Sequence, residues 1–226
     1  MAKRKVPLLN GEYYHIYNRG VDKRNIFTTE SDIERFTQSM REFNTVEPIG
    51  SIYENSFRKV TRQTINHQLG NQVSKLVEII SYCINPNHYH FILRQIEDQG
   101  ISKFMKSLNG GYTKYFNEKN KRNGSLFQGK FQSVHVASNE QLLYVHAYVN
   151  LNYIVHGLVG VNGEPISNLI RSSWNEYIGK NKNNMCEKDI ILGQFENIDT
   201  YKKDSLAIVS EIAQKRHEFK NFLLEE

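Results

Sequence analysis

Apolar and polar positions alternate along "YYHIYNRG" (13–20), a pattern that predicts a strand ended by Gly20. The period then changes. In "TESDIERFTQSMREFN" (29–44), Ile33, Phe36, Met40 and Phe43 recur at helical spacing behind a Thr/Ser/Asp cap. Residues 45–75 are polar and contain Pro48, Gly50 and Gly70, as an insertion or a mobile loop would. "KLVEIISYCI" (75–84) and "HYHFILRQ" (88–95) predict two strands of a hairpin joined by the turn "NPN". A stripe of Ile101, Phe104, Met105, Leu108, Tyr112, Tyr115 and Phe116 predicts a helix over 101–121, where Gly110–Gly111 is either a weak point or a close approach. A basic, Gly-punctuated loop (122–138) leads into a short strand. A helix over 139–157 then starts at Ser138 or Asn139 and stops at Gly157.

The order strand, helix, strand, strand, helix, strand, helix is that of a split βαβ unit. It predicts an α+β fold, a ferredoxin-like antiparallel sheet with helices on one face, followed by a C-terminal helical extension. A group on the last core helix would then lie over the central strands.

Composition narrows the class. The 226 residues are 39% hydrophobic and 12% aromatic, enough for a packed globule without metal or disulfide staples. Cys83 and Cys186 are too few for a disulfide framework or a zinc knuckle. "MAKRKVPLLN" lacks the apolar run of a signal peptide, and no stretch approaches the ~18 apolar residues of a membrane span, so a reduced, cytoplasmic protein is expected. The net charge of +5 favours an anionic partner.

Candidate chemistry centres on "YCINPNHYHFIL" (82–93). Side chains two apart on a strand share a face, so His88 and His90 project together, away from Tyr89 and Phe91. Such a pair can share a divalent cation, although two ligands are an incomplete set. On the helix at 139–157, Tyr144, Tyr148 and Asn152 are spaced four apart and line one face. A phenol beside a cation that polarises a phosphate can attack phosphorus, and an Asn amide oxygen suits a hard cation. Spacing alone does not choose between Tyr144 and Tyr148.

At these residues the chain resembles a known family. "NPNHYHFIL" is similar to the histidine–hydrophobe–histidine (HUH) motif of the single-tyrosine, IS200-like transposases, and "YVNLNYIVHGLV" to the segment that carries their tyrosine. "YHIYNRG", "GYTKYFNEKNKRNGSLFQGKF" and "SSWNEY" extend the resemblance in order from about residue 11 to 179, nearest to the REP-associated branch. The resemblance implies that His88, His90 and Asn152 hold Mg²⁺ or Mn²⁺ and that Tyr148 is the nucleophile. It also implies nicking and rejoining of single-stranded, hairpin-forming DNA through a 5′-phosphotyrosine, without ATP. It assigns residues 1–160 to the transposase domain and 161–226 to an extension that contacts the hairpin or covers the sheet. Monomer and homodimer both stay open. Tyr153 stands where the family often has proline, so the helix is expected to continue a further turn.

Basic residues after the first strand (Arg19, Lys23, Arg24) and along 112–130 (Lys114, Lys119, Lys121, Arg122, Lys130) suit DNA phosphates. Tyr112 among them suits base stacking, while Phe116 and Phe127 read as core. Two other readings remain: a nucleic-acid-binding protein of this fold that no longer cuts, and a zinc hydrolase with His15 or His135 as a further ligand.

Overall fold

The computed structural model describes residues 7–56, 74–161, 163–181 and 184–222. The elements run β1 (Tyr13–Arg19), α1 (Glu30–Glu42), β2 (Val77–Asn85), β3 (His88–Gln95), α2 (Gly100–Lys119), β4 (Gln132–Val136) and α3 (Asn139–Asn150). After these come α4 (Asn152–Val155), β5 (Arg171–Ser172), α5 (Trp174–Tyr177), α6 (Asp189–Leu192) and α7 (Ile198–Phe222). The sheet order is β4-β1-β3-β2-β5, with every neighbouring pair antiparallel. This is the expected α+β architecture. Most of the proposed insertion, 57–73, lies outside the described residues.

Alternation sorts the two faces of the hairpin. His90 pairs with Tyr17 and with Cys83, while Phe91 pairs with Ile16 and with Tyr82. The Tyr89/Phe91 side meets the crossover helices. Phe36 of α1 packs its ring 5.4 Å from Tyr89, and Tyr112 of α2 packs 5.1 Å from Phe36. Gly111 explains part of the glycine pair, since a Cβ there would meet the Phe43 ring at 2.8 Å. Helices are not confined to this face. The opposite side, bearing His88 and His90, is covered by α3, because Tyr148 packs edge-on against His90 at 5.5 Å. The chain thus has a second helical layer that the βαβ order alone does not predict.

The helix at 139–157 begins as expected, with Ser138 Oγ accepting from Gln141 N at 3.2 Å. It breaks at Leu151 (φ −112°, ψ 23°) and resumes as the single turn α4. Gly157 (φ +69°) then ends it in the left-handed region that glycine tolerates.

The far side of α3 docks on the C-terminal extension. At 100° per residue, His146 and Asn150 point away from Tyr148. Asn150 Nδ2 is 3.0 Å from His146 Nε2, which lies 3.1 Å from the Tyr201 hydroxyl on α7. Ser173, from "SSWNEY", donates to Asn150 Oδ1 and accepts from Tyr82 N at 2.9 Å, so α3, β2 and α5 meet at one hydroxyl. Among the described residues, no helix is long and apolar enough to cross a membrane.

One ion pair anchors the crossover layer. Asp32 is fully buried and accepts from Thr28 N (2.9 Å), Thr29 N (3.0 Å) and Lys119 Nζ (2.6 Å), joining the start of α1 to the end of α2. Burial pushes its carboxyl upward, but Lys119 and the Thr28 and Thr29 donors outweigh it and bring it down to about 2. A carboxylate depressed by that much adds about 2 kcal/mol, present above pH 4 and lost as pH falls toward 2. Urea unfolding of Asp32→Asn is therefore expected to show a deficit of about 2 kcal/mol at neutral pH that closes between pH 4 and pH 2. A deficit independent of pH contradicts this.

Candidate active site

Two adjacent strands and the two consecutive helices α3 and α4 build the site. β3 presents His88 and His90, and β1 presents His15 and Tyr17 beside them. His15 Nε2 lies 2.9 Å from His90 Nδ1, and the two rings stack at 5.1 Å. The phenol of Tyr148 stands edge-on to both, its ring 5.5 Å from His90 and 5.9 Å from His15. One turn later, Asn152 Oδ1 is 3.1 Å from His88 Nε2. The four residues expected to act together (His88, His90, Tyr148 and Asn152) therefore meet within one chain. Tyr144 points elsewhere and is 44% exposed.

The imidazoles are kept neutral. Burial lowers His15 to about 4 and, with help from His88 and Arg216, lowers His156 to about 4. It lowers His88 too, and takes His90 well below the ordinary range, reinforced by His15, His88 and His156. Neutral imidazoles offer lone pairs. His88 Nδ1, 2.6 Å from Asn87 Oδ1, carries its hydrogen there and leaves Nε2 as the acceptor. His15 engages His90 Nδ1, which leaves His90 Nε2 as its second nitrogen. Burial raises the Tyr148 phenol, with the Asn152 amide and Arg216 opposing that rise.

This donor set fits a hard divalent cation. Asn152 is fully buried and turns Oδ1 toward His88 Nε2, while its Nδ2 has no hydrogen-bond partner among the described residues. A carboxamide oxygen beside the acceptor nitrogen of an imidazole presents two lone pairs that a cation can share. Among the described residues, no group of three His, Cys, Asp or Glu side chains that could hold a metal ion is found. His135 pairs with Glu12 at 2.8 Å instead.

A cleft of about 760 Å³ opens over the site, lined in part by Tyr17, Arg19, Lys23, His88, His90 and Tyr148. His156 and Arg216 close one end, with an Arg216 guanidinium nitrogen 3.1 Å from His156 Nδ1 and 3.4 Å from the Val155 carbonyl. The described lining residues include three cations and no carboxylate.

The other expected DNA contacts divide. Arg19 and Lys23 line the cleft, and Lys130 is exposed on the segment between its lining residues Gln128 and Gln132. Arg24 lies outside the lining and pairs with Asp22 at 3.3 Å. Lys114 is exposed on α2, across the sheet. Arg122 braces its own loop, donating to Asn117 Oδ1 (2.6 Å) and the Ser125 carbonyl (3.0 Å). Tyr112 offers no face to a base, because it is fully buried and donates to the Ile26 carbonyl at 2.6 Å. Interleaving with lysines along a helix did not place it on the surface. Phe116 and Phe127 are core, as expected.

His15 and Tyr17 had a usable signal, since they alternate with Ile16 on the strand that ends at Arg19. His156 continues the four-residue spacing of Tyr148 and Asn152. Arg216 had none.

Residues 51–152 match the family model described as "Transposase IS200 like". Among solved structures, a REP-associated tyrosine transposase bound to a REP hairpin aligns with a TM-score of 0.50 at 13% identity, over 83% of this chain and 98% of that one. A putative transposase from Deinococcus radiodurans R1 aligns at 0.36 and 13% identity, over 62% of this chain and 91% of that one. No curated protein matches. At such identity the first of these likenesses is one of fold, which agrees with the sheet described above. The family model's span contains His88, His90, Tyr148 and Asn152, so over residues 51–152 this chain is similar to the IS200-like transposases.

Proposed function

We propose that this protein nicks and rejoins single-stranded, hairpin-forming DNA through a covalent link to Tyr148. The observation that carries this reading is the meeting of the Tyr148 phenol with His90 while Asn152 Oδ1 faces His88 Nε2, all in one chain. In the cleavage step the Tyr148 oxygen forms a bond to phosphorus and the bond to the 3′ oxygen breaks. The products are a 5′-phosphotyrosine and a free 3′-hydroxyl, with the phenol proton passing to solvent across the open cleft and the leaving 3′ oxygen taking a proton from solvent. Attack by a 3′-hydroxyl on the phosphotyrosine reverses the step and restores the phenol, so no ATP is consumed.

His88, His90 and Asn152 would hold Mg²⁺ or Mn²⁺, which supplies charge to the phosphate oxygens when bound. Arg19, Lys23 and Arg216 give the strand a basic path across the cleft. Tyr148 is half-buried, and burial raises its phenol above the ordinary range. The hairpin partner is suggested by the neighbouring structure, which was solved with one. Because the described chain brings its own tyrosine to its own histidines, a single protomer suffices for cleavage. The protein would act on DNA in the cytoplasm.

Incubation with Mn²⁺ and hairpin-bearing single strands should give a covalent adduct on a denaturing gel. Tyr148→Phe should abolish it and Tyr144→Phe should leave it. An adduct that survives Tyr148→Phe, or hairpin binding with no cleavage by the wild type, contradicts the proposal. Binding should also report the cleft. Arg19→Ala and Arg216→Ala should each flatten the dependence of log affinity on log salt by about 0.7, the contribution of one phosphate on a single strand. Lys114→Ala, across the sheet, should leave the slope unchanged.

A further inference from the structure

Asn85 ends β2 and pairs with His88 across the hairpin, on the face that carries both histidines. It is fully buried at the end of an otherwise apolar run, where leucine or methionine would pack without a polar cost. Its amide head touches the two atoms that face each other at the site. Nδ2 is 2.8 Å from Asn152 Oδ1 and 3.0 Å from His88 Nε2, and those two are 3.1 Å apart.

These three atoms form a nearly equilateral triangle. Ligands bound at about 2.1 Å and at right angles to one another around an octahedral cation are about 3.0 Å apart. The triangle therefore has the size of one face of such a coordination shell. At present the Asn85 N–H groups cap the two acceptors. Half a turn of the carboxamide would put Oδ1 where Nδ2 stands, with little change in shape. Little opposes that turn, because Asn85 Oδ1 is engaged by the Cys83 thiol at 3.8 Å, a weak donor.

We infer that Asn85 is a further ligand of the divalent cation: the amide that offers N–H donors to His88 and Asn152 turns its oxygen inward and joins them on the ion. This rests on the metal reading above and adds a hard oxygen that the histidine pair lacks. Imidazoles alone suit softer ions, so a second amide oxygen moves the set toward the hard ions Mg²⁺ and Mn²⁺.

Mn²⁺ titration of the wild type, Asn85→Asp and Asn85→Leu by calorimetry and by water-proton relaxation tests this without any DNA. Thermal melting of each metal-free variant checks that it folds. As a ligand, Asn85→Asp should bind Mn²⁺ at least as tightly as the wild type and up to about tenfold tighter, because it presents oxygen in either orientation and adds charge. Asn85→Leu should bind about tenfold more weakly and leave one more exchangeable water on the ion. If Asn85→Asp weakens binding as much as Asn85→Leu, the residue is only an N–H donor to its neighbours and the inference fails. Unchanged affinity and hydration in both variants also overturn it while leaving His88, His90 and Asn152 as the ligands. A wild type that binds no Mn²⁺ removes the metal reading and this inference together.

Discussion

The structure turns on one helix pressed between two polar surfaces. On its inner side α3 sets Tyr148 against the neutral rings of His90 and His15, and α4 continues the line with Asn152 beside His88. On its outer side His146 and Asn150 are locked by Ser173 and Tyr201. An α-helix with polar groups buried on both sides has few ways to rotate, since a turn of one residue would strand both sets. The phenol is thereby fixed in relation to the sheet without any direct bond from its own hydroxyl to β3.

The extension is accordingly part of the site's construction. "SSWNEY" supplies Ser173, which holds β2 and α3 together, and Tyr177, whose hydroxyl donates to the Ile80 carbonyl at 2.7 Å. α7 supplies Tyr201 behind the helix and Arg216 at the mouth of the cleft. Arg19, Lys23 and Arg216 line the same cleft as His88, His90, His156 and Tyr148, whose charged forms burial disfavours. On the function proposed above, such a field would draw in a phosphate backbone.

Much of this was legible in the order of residues. The two-residue period gave His88 and His90 a common face, and the four-residue period gave Tyr148 and Asn152 another. Neither period says that the two faces meet; that depends on where α3 docks, which is decided by Ser173 and Tyr201, 23 and 51 residues beyond Asn150. Tyr112 misled because a stripe of aromatics between lysines reads alike whether the rings face water or a sheet. The turn "NPN" includes Asn85 when read from the sequence, yet Asn85 pairs as the last residue of a strand. Arg216 could not be reached by any local pattern, since it joins His156 across 60 residues of chain.

Crystals grown with Mn²⁺, measured at a wavelength where manganese scatters anomalously, would show whether a cation held by β3 and Asn152 lies within reach of the Tyr148 phenol. A single strong anomalous peak in contact with His88, His90 and Asn152 is expected, with the Tyr148 ring still against His90. An anomalous peak elsewhere, or none, or a Tyr148 turned out of the cleft with the ion bound, would contradict it.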